Sequence, residues 1–430
     1  MIRLLQYIFV GIIVSFYFFT INFSFLPLSL NTKVILALFG VILLGYNGIV
    51  TRKILITREL LGAIFLAAIF SIICAISVDI NHTTDYAYAS YIVSFAVWLF
   101  AAYTVCLLIK AVHGRVDFYL VGNYLIAVCV IQCVLALFID HNESFKILVD
   151  KFVIQGQDFY DEVDRLYGIG AALDNAGVRF SVVLLILAAI VSKNQSIRDS
   201  RLKLSVYIIS FFIILLIGNM ISRTTSVGGA LALAYLVIST GVFTFIIKRK
   251  FIKLHLTFLA ILVIAIGIST YLYNTDLDFR EDIRFAFEGF FNWVELGEWK
   301  TGSTDKLNRE MWVWPTDTKT WIIGSGLFDN FVYSTDIGYC RFILYCGIIG
   351  FASFAIFFIY NAMVFAKKNK KYWDLFFFLL ALTFIVWVKV STDIFLIYAL
   401  FYCVDALNFG LISEEKEEIY EDSLLHPRYI

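Results

Sequence analysis

The strongest constraint on this chain is its repetition of long apolar runs. They begin near Leu4, Val34, Leu60, Tyr86, Phe118, Ala176, Leu204, Val227, Leu254, Ile337, Trp373 and Ile394. A hydrocarbon layer of about 30 Å is crossed by roughly 20 apolar residues in a helix. Apolar residues make up 61% of the chain and charged residues 16%, well outside soluble globular usage. These features predict an all-α polytopic integral membrane protein of about twelve transmembrane helices, forming a single membrane domain over 1–430. The first run carries Arg3 and no small-residue cleavage site after it, so it reads as a retained anchor and not as a signal peptide.

Lysine and arginine asymmetry sets the expected orientation. The turns at Arg52 to Arg58, Lys110 to Arg115, Lys193 to Lys203, Lys248 to Lys253 and Lys367 to Lys371 hold 17 basic residues, whereas the opposing short turns hold Lys33, Arg223 and Lys389. Both termini are therefore expected in the cytoplasm. Two long segments, 140–175 and 274–336, are expected outside.

Zero net charge argues against nucleic acid and against bulk steering of an anionic partner. The seven cysteines fall within or beside the apolar runs and read as packing residues. The acidic tail SEEKEEIYEDS reads as a solvating end. His82, Asp85 and His113 read as ordinary loop residues, because no set of ligands at metal spacing accompanies them.

The stretch from Trp321 to Gly350, WIIGSGLFDNFVYSTDIGYCRFILYCGIIG, concentrates polar chemistry at a lipid boundary. It holds a turn at Gly324 and Gly326, the step Ser334-Thr335-Asp336, and then Arg341 near the mouth of a helix. Such a cluster is costly unless something polar uses it. Ser334, Thr335 and Asp336 are all good helix caps, and the same triplet recurs at Ser391 to Asp393, where capping explains Asp393. The apolar run reaches Ala366, close to 45 Å at ~1.5 Å per residue, so the helix is expected to tilt or project.

Three further arginines join this mouth as candidates. Arg165 lies in a first outer loop holding eight acids and three bases; pairing with Asp161 or Glu162 is its alternative role. Arg179 is expected about one turn inside a helix capped by Asp174 or Asn175, where snorkelling to headgroups is the alternative. Arg223 is not needed for its turn, while Gly228 and Gly229 suit close helix approach.

The second outer loop begins with an amphipathic pattern near 279–294, apolar at Phe279, Ile283, Phe287, Phe290, Phe291 and Val294. Such a helix either lies along the membrane surface or packs on the bundle as a lid. Asp276 and Asp278 form a D-x-D pair; capping is favoured over metal binding. Arg309 falls on a short helix that ends before Pro315.

RLYGIGAALDNAGVRFS in the first loop, SRTTSVGGALALAYL in a hairpin and GSGLFDNFVYSTDIGYCRFILYCGIIG at the end of the second loop together resemble the Wzy-type O-antigen and capsule repeat-unit polymerases, within the O-antigen ligase/polymerase superfamily. The resemblance covers most of the chain. It implies a GT-C-like membrane fold in the bacterial inner membrane. It also implies transfer of a glycan from undecaprenyl diphosphate to the non-reducing end of another lipid-linked repeat unit; because the residues offer no convincing metal site, no cofactor or metal is expected. The implied partners are the undecaprenyl-diphosphate-linked oligosaccharide, membrane lipid and a chain-length regulator protein. Arg165, Arg179 and the arginines flanking Asp336 match the family's essential arginines. The expected assignment makes Arg179, Arg223 and Arg341 holders of the diphosphate, with Arg165 assisting and Asp336 either acting as base or positioning the acceptor. Arg309, Gly324 and Gly326 complete the expected substrate-binding set. Related O-antigen ligases place a histidine in the second loop, and none lies between Asn274 and Arg341 here. A flippase or transporter is the competing class; the sequence offers no repeat and no helix visibly broken by glycine or proline.

Overall fold

A computed structural model describes residues 2–52, 56–155, 165–241, 251–328 and 332–408. The acidic tail, Asp161 and Glu162 lie outside the described residues. The described residues are all-α apart from one two-stranded antiparallel ladder that pairs β1 (Asn22–Phe23) with β2 (Val153–Ile154).

In chain order the helices are α1 (Ile2–Phe18), α2 (Thr32–Thr51), α3 (Arg58–Ile80), α4 (Tyr91–His113), α5 (Phe118–His141) and α6 (Glu143–Phe152). There follow α7 (Leu173–Lys193), α8 (Gln195–Asp199), α9 (Arg201–Ile221), α10 (Thr225–Thr240) and α11 (Ile252–Thr275). The last group is α12 (Leu277–Ala286), α13 (Glu288–Leu296), α14 (Gly302–Glu310), α15 (Thr318–Ile322), α16 (Gly338–Lys368), α17 (Trp373–Val386) and α18 (Phe395–Asn408). Eight of them, α2, α3, α4, α5, α7, α9, α11 and α16, are long and apolar enough to cross a membrane. The expected starts at Leu4, Val227, Trp373 and Ile394 coincide with the shorter apolar helices α1, α10, α17 and α18.

Helix α7 is the central column, buried along nearly all of its length from Ala176 to Ser192, while α11 stands at the edge with Leu254 as its one buried residue. Close packing of α7 on α10 depends on Gly228: a Cβ there would lie 2.1 Å from the Cα of Ser181. Ser181 also donates to the Thr224 carbonyl at 3.0 Å, which fixes the α9–α10 turn beside the start of α7. All seven cysteines are buried and unpaired.

Three local expectations are corrected. Neither Asp174 nor Asn175 caps α7, which starts at Leu173 after Ala172 with no side-chain cap; Arg179 is therefore nearly two turns inside. Ser334, Thr335 and Asp336 do not occupy the cap of α16 either, since its N-cap is Ile337. The long helix neither simply tilts nor projects, because it breaks at Gly347, with φ 66° and ψ −179°. The segment beyond, 348–368, is about 31 Å long at ~1.5 Å per residue, matching one bilayer crossing.

The break is filled by the glycine turn that precedes it in sequence. Ser325 N–H donates to the Leu344 carbonyl at 2.7 Å and Gly326 N–H to the Tyr345 carbonyl at 3.0 Å, replacing helix bonds lost at the kink. Gly324 has φ +90°, and a Cβ on it would stand 2.2 Å from the Tyr345 carbonyl oxygen. Asn81 and Thr83 at the end of α3 donate to the Gly324 and Gly326 carbonyls at 3.0 and 2.7 Å.

The amphipathic stretch is two helices joined at Phe287, and only the first of them packs closely on the bundle. Asp276 caps α12 by accepting from Phe279 N–H at 3.1 Å. Helix α12 packs on the bundle, burying Ile283 and Ala286, and Asn219 of α9 donates to the Ala286 carbonyl at 2.6 Å. Helix α13 instead exposes Phe290, Trp293, Val294 and Leu296.

Candidate functional site

The start of α7, the α9–α10 turn, the start of α16 and the α17–α18 turn meet at one end of the bundle, opposite the helix ends that carry Lys193 and Lys368. Between them, under α12 and α14, lies a cavity of about 690 Å³. Arg165, Arg223, Lys306, Arg341 and Lys389 line it, against two acidic residues, Asp174 and Asp336. Five cations facing two carboxylates make a chamber suited to a multiply charged anion.

Arg341 sits in the first turn of α16, where the helix dipole disfavours a cation. It is held by other means. One Nη donates to the Phe328 carbonyl at 2.6 Å, the other to Ser391 Oγ at 2.9 Å, and the guanidinium stands 3.9 Å from the centroid of the Phe328 ring. Phe328 N–H in turn donates to Asp85 at 2.5 Å, so Asp85 positions the residue that positions Arg341. Asp85 and His82 both lie in the loop after α3, but Asp85 is more than the ordinary loop residue expected, since it anchors Phe328.

Arg223 pairs with Glu288 at the start of α13 and stacks on Phe285 of α12, 4.5 Å from its centroid. Arg165 stacks on the same ring at 4.9 Å. Burial first, and then the charge of Arg223, hold the Arg165 guanidinium below its ordinary value, with Asp174 pulling the other way. The buried Nε of Arg165 has no hydrogen-bond partner among the described residues.

Asp174 accepts from Ser222 Oγ at 3.1 Å, Thr224 Oγ1 at 2.5 Å and Lys389 Nζ at 2.9 Å. This carboxylate therefore joins three elements in the cavity floor. Asp336 is exposed at the cavity rim. Thr335 beside it accepts from Ile337 N–H at 3.2 Å and donates to the Met311 carbonyl at 2.5 Å, fixing the strand of chain that presents Asp336.

The cavity thus brings Arg165, Arg223, Asp336 and Arg341 together. Arg179 lies beside it, in a smaller cavity of about 90 Å³ with Trp98, Thr392 and Asp393; Asn175 lines both spaces. Its guanidinium reaches Thr20 Oγ1 at 3.5 Å and the Phe19 ring at 5.7 Å. Arg309 is exposed on α14 and does not line the cavity, whereas Ser303, Lys306 and Leu307 of that helix do. Gly324 and Gly326 stand at the α16 break, away from the lining.

Sequence reasoning missed Lys389, Asp174 and Lys306 as lining groups. Lys389 carried a usable signal, being one of few basic residues in the short turns on its side. Among the described residues no group of three or more His, Cys, Asp or Glu gathers to hold a metal.

Fold and cavity together define an α-helical bundle of the multi-pass membrane type with a basic chamber at one end. Compared with known protein families, curated proteins and solved structures, the chain matches none.

Proposed function

We propose that this chain is a lipid-linked glycan polymerase of the O-antigen and capsule kind, in a bacterial inner membrane, with about twelve transmembrane helices and cytoplasmic termini. It transfers a glycan from undecaprenyl diphosphate to the non-reducing end of a second lipid-linked repeat unit. The observation that carries the reading is the clustering of Arg165, Arg223, Arg341, Lys306 and Lys389 around one cavity with Asp336 at its rim.

In the reaction, the acceptor hydroxyl oxygen bonds to the anomeric carbon of the donor glycan. The bond from that carbon to the diphosphate oxygen breaks, and its electron pair leaves on the diphosphate. Arginine forks match phosphate oxygens and stabilise the charge that develops there. Arg223 and Arg341 are the principal holders and Arg165 assists. The acceptor proton passes to Asp336, whose carboxylate is exposed in the cavity.

A transporter draws some support from the glycine break in α16. That break is occupied by the 324–326 turn, so its freed carbonyls face protein. The polymerase reading is accordingly preferred. Purified protein incubated with a synthetic undecaprenyl-diphosphate repeat unit, without divalent metal, is expected to give a ladder of products. Absence of a ladder, together with unflipped repeat units on the inner leaflet of a null strain, would favour the flippase.

A further inference from the structure

A second large space borders the first. It is a groove of about 680 Å³ between α9 and α11, walled by Ile209, Phe212, Ile213 and Met220 on one side and Ile264 and Ile268 on the other. Apart from Ser269, its polar groups lie at one mouth, where His141, Asp276 and Asp282 gather. From Ile209 to Met220, and equally from Ile261 to Leu272, the walls run about 17 Å at ~1.5 Å per residue. That is roughly half of a ~30 Å hydrocarbon layer, the depth of one leaflet.

The groove and the basic cavity lie on either side of the same two elements. Met220 faces the groove while Ser222 and Arg223, next along the chain, face the cavity. On α12, Phe279 and Asp282 face the groove and Phe285, one turn on, faces the cavity. An apolar slot one leaflet deep therefore opens beside a chamber built for an anion.

We infer that the groove holds the hydrocarbon chain of the polyprenyl diphosphate whose headgroup enters the cavity, with α12 lying across the junction of tail and head. This rests on the polymerase reading for the identity of the amphiphile. Helix α11 supplies a wall that packs little against the bundle, so a chain enters sideways from the lipid without disturbing the core.

The test measures binding of two probes, undecaprenyl diphosphate and geranyl diphosphate, to the full chain in phosphatidylcholine nanodiscs. Ile264→Trp and Ile268→Trp fill the groove from α11; Ile266→Trp, on another face of that helix, is the control. All three residues are more than half exposed, so the substitutions leave the core intact. Each groove variant is expected to weaken undecaprenyl diphosphate by about tenfold, equivalent to excluding roughly two methylenes, and to leave geranyl diphosphate unchanged. Ile266→Trp is expected to change neither. Unchanged binding of the long probe, or equal loss of both probes, would overturn the assignment and leave the groove to bulk lipid. The two readings separate cleanly: tail-selective loss without a product ladder from the native protein retires the polymerase, whereas a ladder made equally well by Ile264→Trp retires the groove.

Discussion

Arg165 and Arg223 stack on one ring, that of Phe285, at 4.9 and 4.5 Å from its centroid. Two cations held side by side repel. The ring's negative faces and the carboxylate of Glu288 offset that repulsion. The pair is thereby kept ready for an anion that neither aromatic ring nor single carboxylate fully replaces.

Phe285→Ala should release both guanidiniums. At ~0.5–2 kcal/mol for a cation–π contact, affinity for undecaprenyl diphosphate is expected to fall about 2- to 30-fold. Titration of the purified variant checks this, and undiminished affinity would reduce the ring to a packing element.

Asp174→Ala removes the one carboxylate that Ser222, Thr224 and Lys389 share. Leaving these donors unmatched should lower stability by about 1–3 kcal/mol, seen as a lower thermal midpoint. Asp174→Asn, which keeps an acceptor oxygen, should lose less.

Gly347→Ala forces a side chain onto φ +66°, with its Cβ 2.1 Å from the Ile322 carbonyl oxygen. The backbone strain alone is of order 1–3 kcal/mol. The expected result is poor thermal stability with diphosphate affinity unchanged in the fraction that remains folded. Stability equal to that of the native chain would mean the turn and the broken helix do not interlock.

Two hydrogen bonds from Arg284 to Glu295, both 2.8 Å, tie α12 to α13. They hold the Glu295 carboxyl below its ordinary value of 4.5. A depressed carboxylate adds stability above its unfolded value, and that contribution disappears as pH falls through the folded value. Hydrogen-exchange protection across 288–296 should therefore decline in acid below pH 4.5 in the native chain. In Glu295→Gln it should already be low at neutral pH.

Much of this architecture was legible in the apolar runs, because a helix that faces lipid or core must be apolar along its whole length. Arg223, Asp336 and Arg341 were legible as candidates, since a charge at the end of such a run demands a reason, and Arg165 was legible as the one arginine of the acidic first loop. The partners of those charges were not. Lys389 and Asp174 are 215 residues apart and meet only through packing. The break at Gly347 was hidden because glycine is tolerated inside many helices, and its φ is set by the distant turn at Gly324. Arg309 and Arg179 look like the other arginines in sequence, yet one faces outward from α14 and the other a separate space under Asn175.

The central claim is that guanidiniums from different turns serve a single diphosphate. A double-mutant cycle on undecaprenyl diphosphate binding, with Arg223→Gln, Arg341→Gln and the combination, tests it directly. Groups sharing one ligand are expected to couple by about 0.5–3 kcal/mol, so the double variant should depart clearly from the sum of the single losses. Losses that add to within about 0.5 kcal/mol would mean that the two arginines act on separate things, and the account would be contradicted.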